Sequence, residues 1–219
     1  MSYLLTAEFL TYWHIGTGRG SGQNLDALVE KDAHGLPYVP GKTIKGLFRD
    51  AFYKMDHWQS TQYTDFLFGA RTAEDKHTRD ETTPGRLRFS NLNLIERGYL
   101  IQHDNQDDKY EGKYEGKYEG KYEGKYEGKL IPHLFQTQAS TAIDEKTGSA
   151  KEKSLRMIEV VVPANLEGDI EYLPSIHDKE QPVSLDDLTK LLEQAASLIT
   201  HIGANKNRGM GRVRLEVKA

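Results

Sequence analysis

The sequence predicts an α+β fold, and three observations carry that expectation. Apolar residues alternate with period two near both ends of the chain. Two longer segments carry helical apolar stripes, and strand-like material rich in valine and isoleucine lies between them. At 219 residues the chain reads as a single domain, residues 1–219, carrying one long insertion.

The elements follow in order. In residues 3–15, Tyr3, Leu5, Ala7, Phe9, Trp13 and Ile15 share one face, and Thr6, Glu8, Tyr12 and His14 the other, the pattern of a half-buried strand. GTGRGSGQN (16–24) is too glycine-rich for a regular element and flexible enough to wrap a ligand. A helix is expected after Pro40-Gly41. There Ile44, Leu47, Phe48, Ala51, Phe52 and Met55 recur at i, i+3, i+4, i+7, i+8 and i+11. RLRFSNLNLI (86–95) reads as a second strand, and 154–173 as further strand material broken at Pro163. Ser184 is a good N-cap for a second helix, with Asp186 and Asp187 in its first turn. Leu185, Leu188, Leu192, Ala195, Ile199 and Ile202 form its apolar face, and Gly203 is the expected C-cap. Val213, Leu215 and Val217 alternate as a last strand. The order is that of a ferredoxin-like (RRM-like) βαββαβ core with inserted loops, its two helices on one face of the sheet.

Residues 109–129 are five consecutive KYEG tetrapeptides followed by Lys129. Glycine at every fourth position opposes a helix by about 1 kcal/mol each, and like charges recur at i, i+4. No face is apolar, so 104–130 is expected to be a low-complexity insertion in a poorly ordered surface loop.

The chain has no cysteine, which excludes disulfides, thiolate metal sites and thiol nucleophiles. Its histidines show no H-x-x-x-H spacing, which argues against zinc. MSYLLTAEFLTYWHIG is neither a signal peptide nor a membrane span, so a cytoplasmic location is expected. The formal net charge is −4. Taken alone that disfavours nucleic acid, yet basic residues cluster locally. Lys42, Lys45, Arg49 and Lys54 stand against Asp50 alone, and Lys206, Arg208, Arg212, Arg214 and Lys218 against Glu216 alone. Such patches set phosphate affinity, while total charge mainly sets solubility.

GLPYVPGKTIKG (35–46) contains Gly41-Lys42-Thr43, the end of a phosphate-gripping P-loop. The glycine that a P-loop needs five positions earlier is Leu36 here, and Pro37 and Pro40 remove two N–H donors. A mononucleotide site is therefore not expected. Lys42, Thr43 and Lys45 instead stand at the positive end of a helix, where N–H groups and the macrodipole attract phosphate. The basic residues continue to Arg49, which suits an RNA backbone.

Three stretches in order resemble the RAMP superfamily of CRISPR systems, and most closely the repeated backbone subunit of type III effector complexes. HIGTGRGSGQNLDALVEKDAHGLPYVPGKTIKGLFRDAF (14–52) is similar to that subunit's strand end, glycine-rich loop, acidic loop and helix start. TAIDEKTGSAKEKSLRMIEVVVP (141–163) resembles its second signature, and IGANKNRGMGRVRLEV (202–217) its C-terminal glycine-rich loop. The KYEG tract departs from the pattern.

The resemblance implies a subunit that lines up with copies or relatives of itself along a CRISPR guide RNA and cuts the complementary target RNA. It places the catalytic, metal-holding aspartate at Asp26, with Glu30 and Asp32 as competing acids. It implies Mg²⁺ or Mn²⁺ for cutting. The expected RNA contacts are His14, Arg19, Lys42, Thr43, Lys45, Arg49, Asn205, Lys206 and Arg208. Two alternatives stand beside it: a non-catalytic guide-RNA scaffold, and a CRISPR-RNA processing ribonuclease, which typically has two such domains.

Overall fold

The computed structural model describes residues 1–21, 25–69, 84–104, 129–174 and 183–219. The KYEG tract, apart from Lys129, lies outside the described residues. The chain is a mixed α+β fold built on an antiparallel sheet.

β1 (Ser2–Phe9) alternates as expected, with Tyr3, Leu5, Ala7 and Phe9 all buried. It ends earlier than the sequence pattern suggests. Residues 10–15 leave the sheet, although Trp13 and Ile15 remain buried and the Trp13 ring stacks on Phe9 with centroids 4.5 Å apart. β1 pairs on one side with β6 (Asn165–Tyr172) and on the other with β7 (Val213–Lys218). The stretch 86–95 is two short strands rather than one, β2 (Leu87–Phe89) and β3 (Asn93–Leu94), both paired with β6. The strand order is therefore β2-β6-β1-β7.

α1 (Gly41–Gln59) buries Ile44, Phe48, Ala51, Phe52 and Met55, the stripe that its spacing predicts. It packs against α4 (Leu185–Leu198) and over β2, while α4 covers β7. Ser184 caps α4 as expected, accepting from the Asp187 amide at 3.1 Å. Gly203 is not its C-cap. The helix stops at Leu198 because the next residues pair backwards with the start of β7: the Val213 amide donates to Thr200, and His201 bridges Arg212.

Among the described residues no helix covers the other face of the sheet. Glu8, Glu167, Asp169, Glu171, Arg214, Glu216 and Lys218 alternate with the buried positions there. Exposed pairs such as Arg214–Glu8 (2.9 Å) and Arg88–Glu171 (2.8 Å) cross it.

α1 turns into α2 (Tyr63–Phe68) through Ser60, at φ 56. Asp56 organises that corner. Its carboxylate accepts from the Thr61 hydroxyl, the Tyr63 amide, and both the amide and hydroxyl of Thr64, at 2.6–3.0 Å. Burial pushes this carboxyl up, but the Thr61 and Thr64 bonds outweigh it and hold it below its ordinary value of 3.8. A depressed carboxylate contributes stability above its unfolded pKa and loses it as pH falls through the folded value. Asp56→Ala is therefore expected to cost about 2 kcal/mol at neutral pH. Thermal melts of both proteins should converge as pH drops below about 4.

β4 (Phe135–Ser140) and β5 (Arg156–Val161) form a separate two-stranded hairpin. Only its base is buried, at Glu159, Val160 and Val161, and most of the rest is exposed. Its far end, 141–155, closes on Asp144, whose Oδ1 accepts from the Lys146 and Thr147 amides. α3 (Arg97–Asp104) leads into the KYEG region, and a 3₁₀ turn at Ile131–Leu134 leads out of it. Between these ends the Ile131 amide donates to Asp104 Oδ1 at 3.2 Å.

Candidate nucleic-acid interface

The chain leaving β1 meets two other segments. Along residues 10–15, the Gly211 amide donates to Tyr12, the Ala204 amide to His14, and the Arg212 amide to the Thr11 hydroxyl. On the other side Trp13 exchanges backbone bonds with Val161 at the hairpin base. The 203–212 loop and the β4–β5 hairpin therefore meet across residues 10–16.

Asp26 joins the same assembly. Residues 26–30 run as an extended segment between 15–19 and β5. Glu30 donates to Ile15, Leu28 to Arg19 and Thr17 to Leu28, while Glu159 donates to Ala27. The Asp26 amide donates to Met157 at 2.7 Å, and the Met157 amide donates back to Asp26 Oδ2 at 2.7 Å. The side chain is exposed, and among the described residues Oδ1 has no hydrogen-bond partner. A carboxylate held by one oxygen and open at the other suits one inner-sphere bond to a hard cation.

The competing acids are committed elsewhere. Asp32 Oδ1 accepts from the His34 and Leu36 amides, and Oδ2 pairs with Arg97 at 3.0 Å. Burial raises this carboxyl, yet the two amides and Arg97 hold it below its ordinary value. Glu30 Oε1 accepts from the Tyr38 hydroxyl at 3.2 Å. No group of three or more His, Asp or Glu that could hold a metal ion occurs among the described residues. Asp26 fits a metal only as a single ligand, with the rest of the shell supplied by substrate and water.

His14 is 5% exposed, and its Nδ1 lies 2.6 Å from the Glu159 carbonyl. A carbonyl only accepts, so Nδ1 carries the proton, and Nε2 of the neutral ring is left as the acceptor. Nε2 faces Gly16, where an added Cβ would stand 2.8 Å away.

In the 203–212 loop Asn205 sits at φ 58, and Lys206, Asn207 and Arg208 are exposed. Two glycines of this loop are needed by the fold itself. A Cβ at Gly203 would strike the His14 carbonyl and one at Gly211 the Ile202 carbonyl, so both serve internal packing. Gly209, at φ +80, faces open space.

The start of α1 lies against the β2–β3 junction. Asn91 Oδ1 accepts from the Gly41 amide at 2.9 Å, and the Thr43 amide is spent on Pro40. Two first-turn donors are thereby taken, which leaves the exposed Lys42 and half-buried Lys45 to attract phosphate by charge. Arg49 donates to the Gly69 carbonyl at 3.0 Å, closing the end of α2. Arg19 is exposed. The structure thus joins His14, Arg19, Asp26 and the 203–212 loop through residues 10–19, while Lys42, Thr43, Lys45 and Arg49 stand on α1.

Sequence reasoning missed Asn91 and Glu159. Glu159 carried one usable signal, an acid inside the β-branched run MIEVVV, where a charge needs partners.

A family model for the RAMP superfamily matches residues 6–214. A chain in the cryo-EM structure of the Type III-B Cmr-beta bound to cognate target RNA aligns with a TM-score of 0.63 and 10% identity. The alignment covers 99% of this chain and 97% of that one, a likeness of fold. No curated protein matches the chain. No helix among the described residues is long and apolar enough to cross a membrane.

Proposed function

The chain belongs to the RAMP superfamily, and from that premise we propose that it is a backbone subunit of a type III CRISPR effector complex that cuts target RNA. Its partners are a guide RNA, the complementary target, and neighbouring subunits that include copies or relatives of itself. The strand order β2-β6-β1-β7, with α1 and α4 packed together, supports a ferredoxin-like core. Acids predominate on the open sheet face, so RNA is assigned to the loops and not to that face. Base pairing reads sequence, and the protein reads backbone and shape.

Asp26 is the observation that carries the reading. Its backbone and one carboxylate oxygen are fixed on β5, while the other oxygen has no hydrogen-bond partner among the described residues. In the proposed reaction the ribose 2′-oxygen of target RNA bonds to the adjacent phosphorus. The 2′-hydroxyl proton passes to water, the P–O5′ bond breaks, and O5′ takes a proton from water, leaving a 2′,3′-cyclic phosphate and a 5′-hydroxyl. Bound Mg²⁺ or Mn²⁺ would stabilise charge on the phosphoryl oxygens. Asp26 Oδ1 would hold the ion, and Lys42, Lys45, Lys206 and Arg208 would hold RNA phosphates.

One observation favours a second reading, the non-catalytic scaffold. Asp26 has no acidic or histidine cluster around it among the described residues. Cleavage of labelled complementary RNA by an assembled complex decides between the two. Tight target binding without cutting leaves only the scaffold.

RNA binding is tested separately. Double substitution of Lys42 and Lys45 by alanine, or of Lys206 and Arg208, should weaken binding to every RNA sequence alike. Each pair should lower the slope of log K against log salt by about 1.5. Filter binding at several salt concentrations measures this, and unchanged slopes for both pairs would place the RNA surface elsewhere.

A further inference from the structure

Glu159 touches four points of the interface and has no part in the reaction as described. It is 9% exposed on β5. Its carbonyl meets His14 and its amide donates to Ala27. Its Oε2 accepts from the Val29 amide at 3.0 Å, and its Oε1 pairs with Lys31 Nζ at 2.7 Å. Lys31 Nζ also lies 4.0 Å from the ring centroid of Phe135 on β4, so this one side chain bridges both strands of the hairpin.

We propose that Lys31 and Glu159 are positioning residues that fix the register of the Asp26 segment on the β4–β5 hairpin. The inference rests on the catalytic reading of Asp26 given above. The physical case is one of register. Asp26 and Ala27 are held to β5 by backbone bonds and by the Asp26 side chain, and Asp26 itself is exposed to competing water. A slip of one residue would turn Asp26 to the opposite face, because side chains alternate along an extended segment.

The Glu159 carboxylate opposes that slip. It satisfies the Val29 amide, which a slip would leave unpaired in a buried place. It needs Lys31 to balance its own buried charge. The ammonium over Phe135 adds a second hold on the same side chain. Asp26 is thus aimed by the contacts of Val29 and Lys31, three and five residues further along the segment, with Glu159 on the hairpin that faces it.

The test uses the assembled complex with guide RNA, comparing wild type with Lys31→Met, Lys31→Arg and Glu159→Gln. Methionine keeps an unbranched apolar stem over Phe135 without the charge. Glutamine keeps an acceptor for Val29, so each variant backs the other if one fails to fold.

Lys31→Met and Glu159→Gln should slow single-turnover cutting roughly ten- to a hundredfold while target affinity stays within about twofold. Hydrogen exchange of the amides of residues 26–29 should speed up in the same two variants. Lys31→Arg should restore both cutting and protection. Wild-type cutting by both variants would overturn the proposal while leaving the catalytic reading intact. So would slow cutting with unchanged exchange, or with a parallel loss of target affinity, since Lys31 would then act on RNA directly. A wild-type complex that binds target and does not cut would overturn the catalytic reading, and this role with it.

Discussion

Asp26→Asn is expected to leave assembly and target binding unchanged and to lower metal-dependent cutting by at least about a thousandfold. Asparagine keeps the size of the side chain and an acceptor oxygen for the Met157 amide, so the segment against β5 should persist. It loses the negative charge on the one oxygen free to hold a cation. Glu30→Ala and Asp32→Ala should be milder. Asp32 is spent on two amides and Arg97, and its loss should lower the melting temperature more than the cutting rate. The measurement is a time course with labelled complementary RNA and Mg²⁺ or Mn²⁺, with EDTA as control. Normal cutting by the Asp26 variant would move the role to another residue or subunit.

A large effect on stability is expected from Gly203→Ala. Gly203 sits at φ +97, and an added Cβ would collide with the His14 carbonyl. The unfavourable backbone conformation costs about 1–2 kcal/mol, and forcing the carbonyl aside adds about 1–3. Residues 10–16 would have to move, and His14 and the Trp13 bridge to the hairpin move with them. Gly209→Ala provides the contrast. It shares a positive φ of +80 but meets open space, so only the conformational cost of about 1–2 kcal/mol remains. Denaturant titrations of the two variants measure the difference. Equal losses would show that the packing of Gly203 on His14 contributes little.

These glycines mark where the sequence was legible and where it was not. Periodicity revealed α1, β1 and β7, because each buries one face and leaves the other wet. β4 was silent for the opposite reason. Its residues FQTQAS are mostly exposed on both sides, so no alternation records the pairing with β5. The end of α4 was misplaced because helical spacing continues through Ile202, whereas pairing of 200–201 with Arg212 and Val213 ends the helix sooner. That competition is set by residues distant in sequence. Asp26 was proposed from the pattern of its neighbours, and its anchoring to Met157 spans 131 positions and leaves no local trace. The RNA-contact set was drawn from local charge, the start of α1 and the family resemblance, and none of these tells a free arginine from one already closing a helix, as Arg49 does on Gly69.

The bond between Asp104 and Ile131 has a consequence for how this gene can change. It joins the two ends of the KYEG region whatever the number of residues between them. An in-frame gain or loss of whole KYEG units would be expected to return the chain to the same neck. Doubling the length of chain closed between two fixed ends costs only about 0.6 kcal/mol of closure entropy. A change in repeat number is therefore expected to cost the fold little, because the tethered ends stay where they are.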